Sequence, residues 1–374
     1  MKIVLFCHSL QSDWNNGNAH FQRGIVSELA RRGHRVEVYE PENGWSFENL
    51  VRFYGRRPLR EYHRIYPSVK STPYQLENLN LDEVLDHTDL VIVHEWNDPE
   101  LVRRIGLYRR IHNDIRVLFH DTHHRSFSSP EMIDAYAISE FDGVLAFGES
   151  IKHQYERNDW SRRCWVWHEA ADINVFFPRP YAGKKKDLVW IGNWGDDERT
   201  EELKEFLLEP SRILGLSAHV YGVRYPPEAL SLLASCDLLY NGWLSNFRVP
   251  EVFSEFSMTV HIPRRYYSRY LHGIPTIRPF EALACGIPLI CALWHDSENL
   301  FTAGDDYLPV RNGREMQQAI RAVLNDKDLA QHLSQHGRQT IIERHTCSIR
   351  VDQLLEIAEE IGIQPAVKAH VDAD

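Results

Sequence analysis

One carboxylate stands in an otherwise apolar stretch of the chain, TIRPFEALACGIPLIC at residues 276–291. Pro279 suits the start of a helix, and Gly286 with Pro288 suits its end, so we predict a short helix with Glu281 in its first turn. A carboxylate at that place can simply offset the positive end of the helix dipole. It can also point into a cleft and accept hydrogen bonds from the hydroxyl groups of a ligand. The residues alone leave both interpretations open.

Histidine and acidic side chains follow two of the predicted strands. The segment VHEWND at 93–98 contains Glu95, and FHDTHHR at 119–125 contains His120 and Asp121. Active sites of parallel sheets collect at the carboxyl ends of the strands, and histidine can transfer protons near neutral pH. We therefore expect His120 or Asp121 to be a catalytic group, the alternative being a histidine that only caps its strand. The three histidines of the second segment supply no closed ligand set with a defined carboxylate, so no metal site is predicted.

The composition excludes some classes of protein. Lys plus Arg number 42 against 53 for Asp plus Glu, and the net charge of −11 argues against a general nucleic-acid binder. Local basic patches and peripheral membrane contact stay open, although no apolar run approaches the roughly 20 residues of a membrane span. Six scattered cysteines without a C-x-x-C pair predict buried free thiols in a reducing compartment. We expect a cytoplasmic protein.

Short β-rich segments alternate with helical patterns, which is typical of parallel α/β layers. A first series of predicted strands lies at 2–7, 35–40, 89–95, 115–120, 143–148 and 164–168, and a second at 187–192, 217–222, 258–263 and 287–291. Three amphipathic helices are predicted at 314–326, 329–345 and 348–362. A chain of 374 residues exceeds what one hydrophobic core usually serves. The pattern predicts two Rossmann-like halves, joined near residue 180, with ligands in the cleft between them.

Several ordered motifs in residues 164–345 resemble GT-B glycosyltransferases of family 4. The similar segments are WHEAADINVFFP (167–178), DLVWIGNWGDDERTEEL (187–203), RPFEALACGIPLI (278–290), ENLFTAGDDYL (298–308) and GRQTIIERHT (337–346). The FEALACG run is most similar to the CgeB-like branch. The N-terminal half resembles the family only in its topology and loop positions. The resemblance implies an α/β GT-B fold.

The resemblance also implies roles for the residues around the acidic side chain. In the family, the glutamate of this motif hydrogen-bonds the ribose of a nucleotide-sugar donor, which implies that role for Glu281. Backbone amides just upstream hold the diphosphate, which places Ile274, Thr276 and Arg278 in the donor site. The family usually has another acidic residue eight positions earlier, where this chain has Gly273. The sugar contacts must therefore differ here.

The diphosphate of such a donor needs positive charge around it, which this fold usually supplies with cationic side chains instead of a metal. Arg199 stands at the position of the family's diphosphate arginine, and Arg264 or Arg265 replaces the usual lysine. The residues by themselves favour ordinary surface arginines, and only the resemblance points to this role.

Two glycine-containing loops complete the expected site. Gly242 and Trp243, in NGWLSN, fall where the family's base-binding loop lies. Gly17 and Asn18, in NNGNAH after the first strand, are expected to face the diphosphate or the acceptor, together with Glu95. For both loops a plain turn is the alternative.

The sequence thus predicts an acceptor-side domain at 1–178, a donor-binding domain at 179–345, and at 346–374 a helix and a loose tail. Whether that helix packs back on the first domain is open. The expected reaction is transfer of a sugar from a nucleotide-diphosphate sugar to an acceptor hydroxyl, retaining and metal-independent, without cofactor or nucleic-acid partner. Alternatives are a nucleotide-sugar epimerase of the same fold and a non-catalytic nucleotide-sugar or glycan-binding protein. An NAD-dependent oxidoreductase is disfavoured, because no G-x-G-x-x-G follows the first strand of either half.

Overall fold

Two parallel sheets organise the chain in the computed structural model, which describes residues 1–195, 198–292 and 294–364. Strands of the N-terminal half are β1 (Lys2–Phe6), β2 (Arg35–Pro41), β3 (Thr72–Tyr74), β4 (Leu90–His94), β5 (Arg116–Asp121), β6 (Gly143–Ala146) and β7 (Cys164–Val166). Strands of the C-terminal half are β8 (Lys186–Ile191), β9 (Ala218–Tyr221), β10 (Leu239–Tyr240), β11 (Phe256–His261), β12 (Leu289–Ala292) and β13 (Leu308–Val310). Every strand that the sequence predicts is present. The additional strands β3, β10 and β13 hold two or three residues each.

Helices surround both sheets. Those of the N-terminal half are α1 (Ala19–Arg31), α2 (Trp45–Tyr54), α3 (Arg57–Ile65), α4 (Leu81–Val84), α5 (Pro99–Ile111), α6 (Arg125–Ser128), α7 (Glu131–Asp134) and α8 (Glu149–Arg157). The remainder are α9 (Thr200–Leu203), α10 (Glu209–Leu214), α11 (Pro227–Ser235), α12 (Val249–Ser254), α13 (Arg265–Arg269), α14 (Ile277–Ala284), α15 (Gly313–Asn325), α16 (Lys327–Arg344) and α17 (Cys347–Glu360). A π-helical turn, Lys204–Leu208, joins α9 to α10. The three helices predicted near the C-terminus are confirmed as α15, α16 and α17.

The strand order places the functional edge of each sheet. It is β3-β2-β1-β4-β5-β6-β7 in the first sheet and β10-β9-β8-β11-β12-β13 in the second. The order reverses beside β1 and beside β8, where helices on opposite faces leave a crevice at the carboxyl ends of the strands. The central strands are buried, as in β4, where every residue from Leu90 to His94 is inaccessible. This arrangement confirms the predicted pair of Rossmann-like α/β halves.

Within residues 1–364, the described part of the chain crosses between the halves twice. The first crossing follows β7, and the second lies between α16 and α17, which packs on α1 of the N-terminal half. The crossings are hydrogen-bonded to each other: the Ala171 amide donates to the His345 carbonyl at 2.9 Å, and the Cys347 amide donates to the Ala171 carbonyl at 3.0 Å. At this junction there is no room for a side chain at Gly24, because a Cβ at this position would lie 2.9 Å from Cβ of Asp172. The domain boundaries at 178 and 345 stay predictions.

Helix α14 begins earlier than the sequence predicts. Its first residue is Ile277, so Glu281 is the fifth residue and lies in the second turn, and the expectation of a first-turn carboxylate is wrong. Pro279 is tolerated at the third position because the first four amides of a helix have no partner within it. The end of the helix is as predicted, with Ala284 as the last residue and Gly286 at φ 65°.

The six cysteines are free, as predicted, and four of them are buried: Cys7, Cys285, Cys291 and Cys347. The reducing compartment stays a prediction. Over the ranges that the structure describes, no helix has both the length and the apolar character that a membrane crossing requires.

Candidate functional site

A cavity of about 490 Å³ lies between the carboxyl ends of the two sheets, and we call it the central cavity. From the N-terminal half it is lined by residues just beyond the ends of strands, including His8 after β1, Thr122 after β5 and Phe147 after β6. From the C-terminal half it is lined by Asn193 after β8 and by His261 at the end of β11. The cavity therefore occupies the position where open parallel sheets bind their ligands.

The central cavity is rich in positive charge. Four arginines line it: Arg125, Arg199, Arg224 and Arg264. Among the lining residues that the structure describes, Glu169 supplies the only carboxyl group. These guanidinium groups, in a chain whose net charge is −11, are suited to a ligand with several negative charges.

Arg199 is held rigidly at the cavity wall, immediately before α9. Its guanidinium donates to the backbone carbonyl of Ile262 at 3.0 Å and to that of Asn193, and lies 5.3 Å from the ring centroid of Trp190. Burial, with the nearby charge of Arg264, lowers the pKa of Arg199 to about 10. The side chain thus stays cationic at neutral pH. The structure brings Arg199 and Arg264 to one cavity, and their role towards a diphosphate stays a prediction.

Arg264 and Arg265 point to different surroundings. Arg264 lines the central cavity, where Glu198 pairs with it at 2.6 Å and Nε2 of His123 lies 3.5 Å from one of its nitrogens. Arg265 forms an ion pair with Glu202 at 3.0 Å and is not among the lining residues. Of the two alternatives left open by the sequence, Arg264 lines this cavity and Arg265 does not.

The start of α14 forms another part of the wall. Thr276 and Ile277 line the cavity, and Thr276 has φ 58°, a left-handed conformation that β-branched residues rarely adopt. Such strain costs about 1–3 kcal/mol and tends to be kept where a functional site needs it. The loop after β1 approaches from the opposite half: a Cβ at Gly17 would lie 3.2 Å from the Ile277 side chain. In the same loop, Asn18 donates to the Thr122 hydroxyl at 2.5 Å. The predicted residues Gly17, Asn18 and Thr276 therefore meet at the cavity.

Glu281 is fully buried and is not among the cavity-lining residues. Its Oε1 lies 2.8 Å from Nδ1 of His20 in α1, and its Oε2 pairs with Arg278. Nε2 of His20 accepts a hydrogen bond from the Asp172 amide at 2.9 Å, so Nδ1 carries the proton and donates it to the carboxylate. Glu281 therefore joins α14 to the N-terminal half through His20, and Arg278 of the same helix compensates its charge. The ribose role of Glu281 stays a prediction, and a ribose would have to displace one of these partners.

His120 does not open on the central cavity, and the expectation that it lines the cleft is wrong. Strand β5 continues through Asp121, and side chains alternate along a strand, so His120 turns into a pocket of about 20 Å³ beside Trp167. Burial lowers the pKa of His120 to about 3, which leaves the ring neutral near pH 7. Thr122 and His123 take the place at the cavity that the sequence assigns to His120.

Asp121 and Glu95 also lie behind the cavity wall. Asp121 accepts a hydrogen bond from the Tyr155 hydroxyl at 3.0 Å, and burial raises its pKa to about 6. Glu95 pairs with Arg125 at 2.6 Å, and the guanidinium of Arg125 stacks 3.5 Å above the ring centroid of Trp96. Glu95 and Trp96 thereby orient a cavity arginine. Neither acid is among the lining residues.

Gly242, Trp243 and Ile274 are also outside the central cavity. Trp243 lines a separate pocket of about 230 Å³, and its amide donates to the Tyr54 hydroxyl at 3.2 Å. Gly242 has φ 74° and accepts a hydrogen bond from the Gly222 amide at 2.8 Å, which fits a tight turn. Ile274 is fully buried in the hydrophobic core of the N-terminal half. The base-binding and donor-binding roles of these residues stay predictions. In this structure the two loop residues contribute to a turn and a separate pocket, and Ile274 packs in the hydrophobic core.

Gly273 has a physical reason to lack a side chain. It has φ 88°, and a Cβ there would lie 2.6 Å from Oε1 of Glu298. That carboxylate also accepts from the Glu149 amide at 2.9 Å and pairs with His168 at 3.0 Å. The carboxylate of Glu298 therefore occupies the space into which an acidic side chain at position 273 would extend.

Several lining residues escape the sequence-based prediction. Glu169 and His123 stand inside segments already singled out, WHEAADINVFFP and FHDTHHR, and the carboxyl-end rule could have found both. Arg125 closes the second of these segments. Arg224 carries no sequence signal, because only the path of the chain after β9 brings it to the cavity.

No group of three or more His, Cys, Asp or Glu side chains among the described residues is arranged to hold a metal ion. Metal independence stays a prediction.

Comparison with known proteins adds a family match and a fold. A family model described as glycosyl transferase-like matches residues 199–356. No curated protein has a significantly similar sequence. HepE from Anabaena, solved with UDP-glucose, is 13% identical, with 96% of this chain and 100% of that chain covered at a TM-score of 0.69.

Two other solved structures are similarly close. Sucrose-phosphate synthase from Thermosynechococcus elongatus is 14% identical over 96% of this chain and 99% of its own, with a TM-score of 0.64. An alpha-glucosyltransferase solved with UDP and a 13-mer DNA is 12% identical over 96% and 99%, with a TM-score of 0.71. The likeness establishes a two-domain GT-B fold for this chain.

Proposed function

We propose that this protein is a glycosyltransferase that moves a sugar from a nucleotide-diphosphate sugar to an acceptor hydroxyl. The observation that carries the proposal is the group of four arginines in a cavity at the carboxyl ends of both sheets. The glycosyl transferase-like match over residues 199–356 supports it, as do neighbours whose structures contain UDP or UDP-glucose. The narrower affiliation with family 4 and its CgeB-like branch is part of this proposal and rests on the sequence motifs alone.

The charges of the cavity suit the bond changes of such a transfer. The bond between the anomeric carbon and the diphosphate oxygen breaks, and its electron pair stays on the diphosphate. The acceptor oxygen forms the new bond to the anomeric carbon and loses its proton, which the departing diphosphate can accept. Negative charge on the leaving oxygen grows towards the transition state, and fixed cations such as Arg199 and Arg264 stabilise it there. We further propose that the anomeric configuration is retained.

The two halves divide the substrates between them in this proposal. The nucleoside diphosphate lies against the C-terminal half, between Arg199, Arg264 and the start of α14, where helix amides favour an anion. The acceptor enters from the N-terminal half, whose aromatic lining residues Trp45 and Trp96 suit the apolar face of a sugar ring.

The test is a binding screen against UDP-, GDP-, ADP- and TDP-sugars. A donor present at 100 times its Kd is expected to stabilise the folded protein by about 2.7 kcal/mol, which a thermal-shift measurement resolves. Product analysis with the stabilising donor then separates transfer from epimerisation, which needs no acceptor. Absence of stabilisation by every sugar nucleotide in the screen would overturn the proposal.

Metal independence is tested with a chelator. Activity is expected to survive excess EDTA, because arginines and helix amides take the place of a divalent ion. Turnover with and without EDTA is the measurement. If EDTA abolishes turnover and Mn²⁺ or Zn²⁺ restores it, this part of the proposal is contradicted. The histidines beside the cavity would then be the candidate ligands.

A further inference from the structure

Glu169 supplies the carboxyl group among the described lining residues of the central cavity, and none of the roles described above uses it. It follows β7 in the N-terminal half and is 3% exposed. Its Oε1 is buried without a hydrogen-bond partner in the parts of the chain that the structure describes. It lies in the cavity lining together with Tyr267 and Thr276 of the C-terminal half. A polar atom so placed can reach a ligand in the cavity.

A buried carboxyl without a partner is costly, so its persistence calls for an explanation. Native proteins satisfy most buried polar groups, and the exceptions often mark places where a ligand completes the hydrogen bonding. Burial, with the charge of Glu281 nearby, raises the pKa of Glu169 to about 8, although Arg278 acts in the opposite direction. Near pH 7 the carboxyl is therefore mostly protonated and can both donate and accept a hydrogen bond. A sugar hydroxyl, which is itself a donor and an acceptor, can pair with the carboxyl in either sense.

Position within the cavity indicates which part of the substrate Glu169 meets. The elements to which the proposal assigns the diphosphate are Arg199, Arg264 and the start of α14, all on the C-terminal half. An ionised carboxylate would repel a diphosphate, whereas the arginines attract it. Glu169 reaches the cavity from the N-terminal half. A sugar attached to a diphosphate on the C-terminal half can extend towards it.

We propose that the Glu169 carboxyl hydrogen-bonds a hydroxyl group of the transferred sugar. This inference rests on the proposed function, because it requires a sugar nucleotide in the central cavity. It makes Glu169 a determinant of sugar specificity and assigns it no part in binding the nucleoside diphosphate.

The experiment compares Glu169→Ala and Glu169→Gln with the wild type, using the sugar nucleotide that stabilises most in the screen and its free nucleoside diphosphate. For Glu169→Ala we expect kcat/KM to fall about tenfold to a hundredfold, while the Kd of the nucleoside diphosphate stays within about twofold. Glu169→Gln keeps a donor and an acceptor and is expected to retain most activity. Glu356→Ala, at an exposed glutamate of α17, is the control and should match the wild type.

Deoxy analogues of the same donor identify the contact. The wild type should lose affinity most strongly when one particular hydroxyl is absent, and Glu169→Ala should show no further loss at that hydroxyl. If the affinity loss caused by Glu169→Ala and the loss caused by removing a hydroxyl are additive for every hydroxyl of the sugar, the inference is overturned while the proposed function stays intact. Equal weakening of nucleoside diphosphate and sugar nucleotide would also overturn it. If no sugar nucleotide binds the wild type, the inference and the proposed function fail together.

Discussion

Arg199→Ala is expected to lower kcat by about a hundredfold to a thousandfold, with a much smaller rise in the Kd of the donor. The guanidinium is held at the cavity wall by the carbonyls of Ile262 and Asn193, so it needs no reorganisation when charge develops on the leaving diphosphate. Removing one such preorganised donor costs more in the transition state than in the bound ground state. Steady-state kinetics and calorimetry measure the two effects separately.

Two further variants, one at Arg199 itself and one at a nearby arginine, supply matched controls for this experiment. Arg199→Lys keeps the positive charge but loses the planar guanidinium, which donates several hydrogen bonds at once, so it should recover only part of the lost rate. Arg265→Ala removes an arginine that pairs with Glu202 outside the cavity lining and should leave kcat nearly unchanged. A fall in kcat accompanied by an equal loss of donor affinity would contradict the leaving-group role of Arg199.

Glu281→Ala is expected to lower the free energy of unfolding by about 3–5 kcal/mol. The fully buried carboxylate joins His20 of α1 to Arg278 of α14, and removing one member of a buried charged network leaves the others without compensation. Glu281→Gln keeps an acceptor for the His20 ring and should lose less. Urea denaturation measures these differences, with Glu356→Ala as a surface control.

The same variant distinguishes two roles for this carboxylate. A carboxylate that only gripped a ribose would leave the unfolding free energy unchanged when replaced and would weaken nucleoside-diphosphate binding. If the carboxylate instead joins the two halves, its replacement lowers the unfolding free energy of the protein. Unchanged stability of Glu281→Ala would show that the contacts with His20 and Arg278 contribute little.

The fold was predictable because burial dictates composition along every central strand. Segments such as that of β4 consist almost entirely of apolar residues, since both faces of a parallel sheet are covered. The edge strands β3, β10 and β13 escaped prediction because two or three residues carry no periodicity. The start of α14 was also predicted too late in the chain. The positive φ of Thr276 fixes that start, and a threonine residue does not predict such a conformation.

The site was predictable at the level of strand ends but less well at the level of side chains. Strand β5 runs one residue further than predicted, so His120 still lies within the sheet and faces the small pocket beside Trp167, while Thr122 and His123, the first residues after the strand, reach the cavity. Glu281 was conspicuous in an apolar stretch, but its partner His20 lies 261 residues away and could not be inferred. Arg224 reaches the cavity only through the tertiary path of the chain.

The paired crossings beside Ala171 determine how the two halves can move. Because the amides and carbonyls of Ala171, His345 and Cys347 join the crossings side by side, sliding or twisting one sheet across the other would break those bonds. Turning about the line they define preserves them, so closure over a substrate would be a rotation about one axis. The exposed segment 181–185 belongs to only one crossing. A protease that cut it would leave the halves attached through α17, still able to open and close on the same axis.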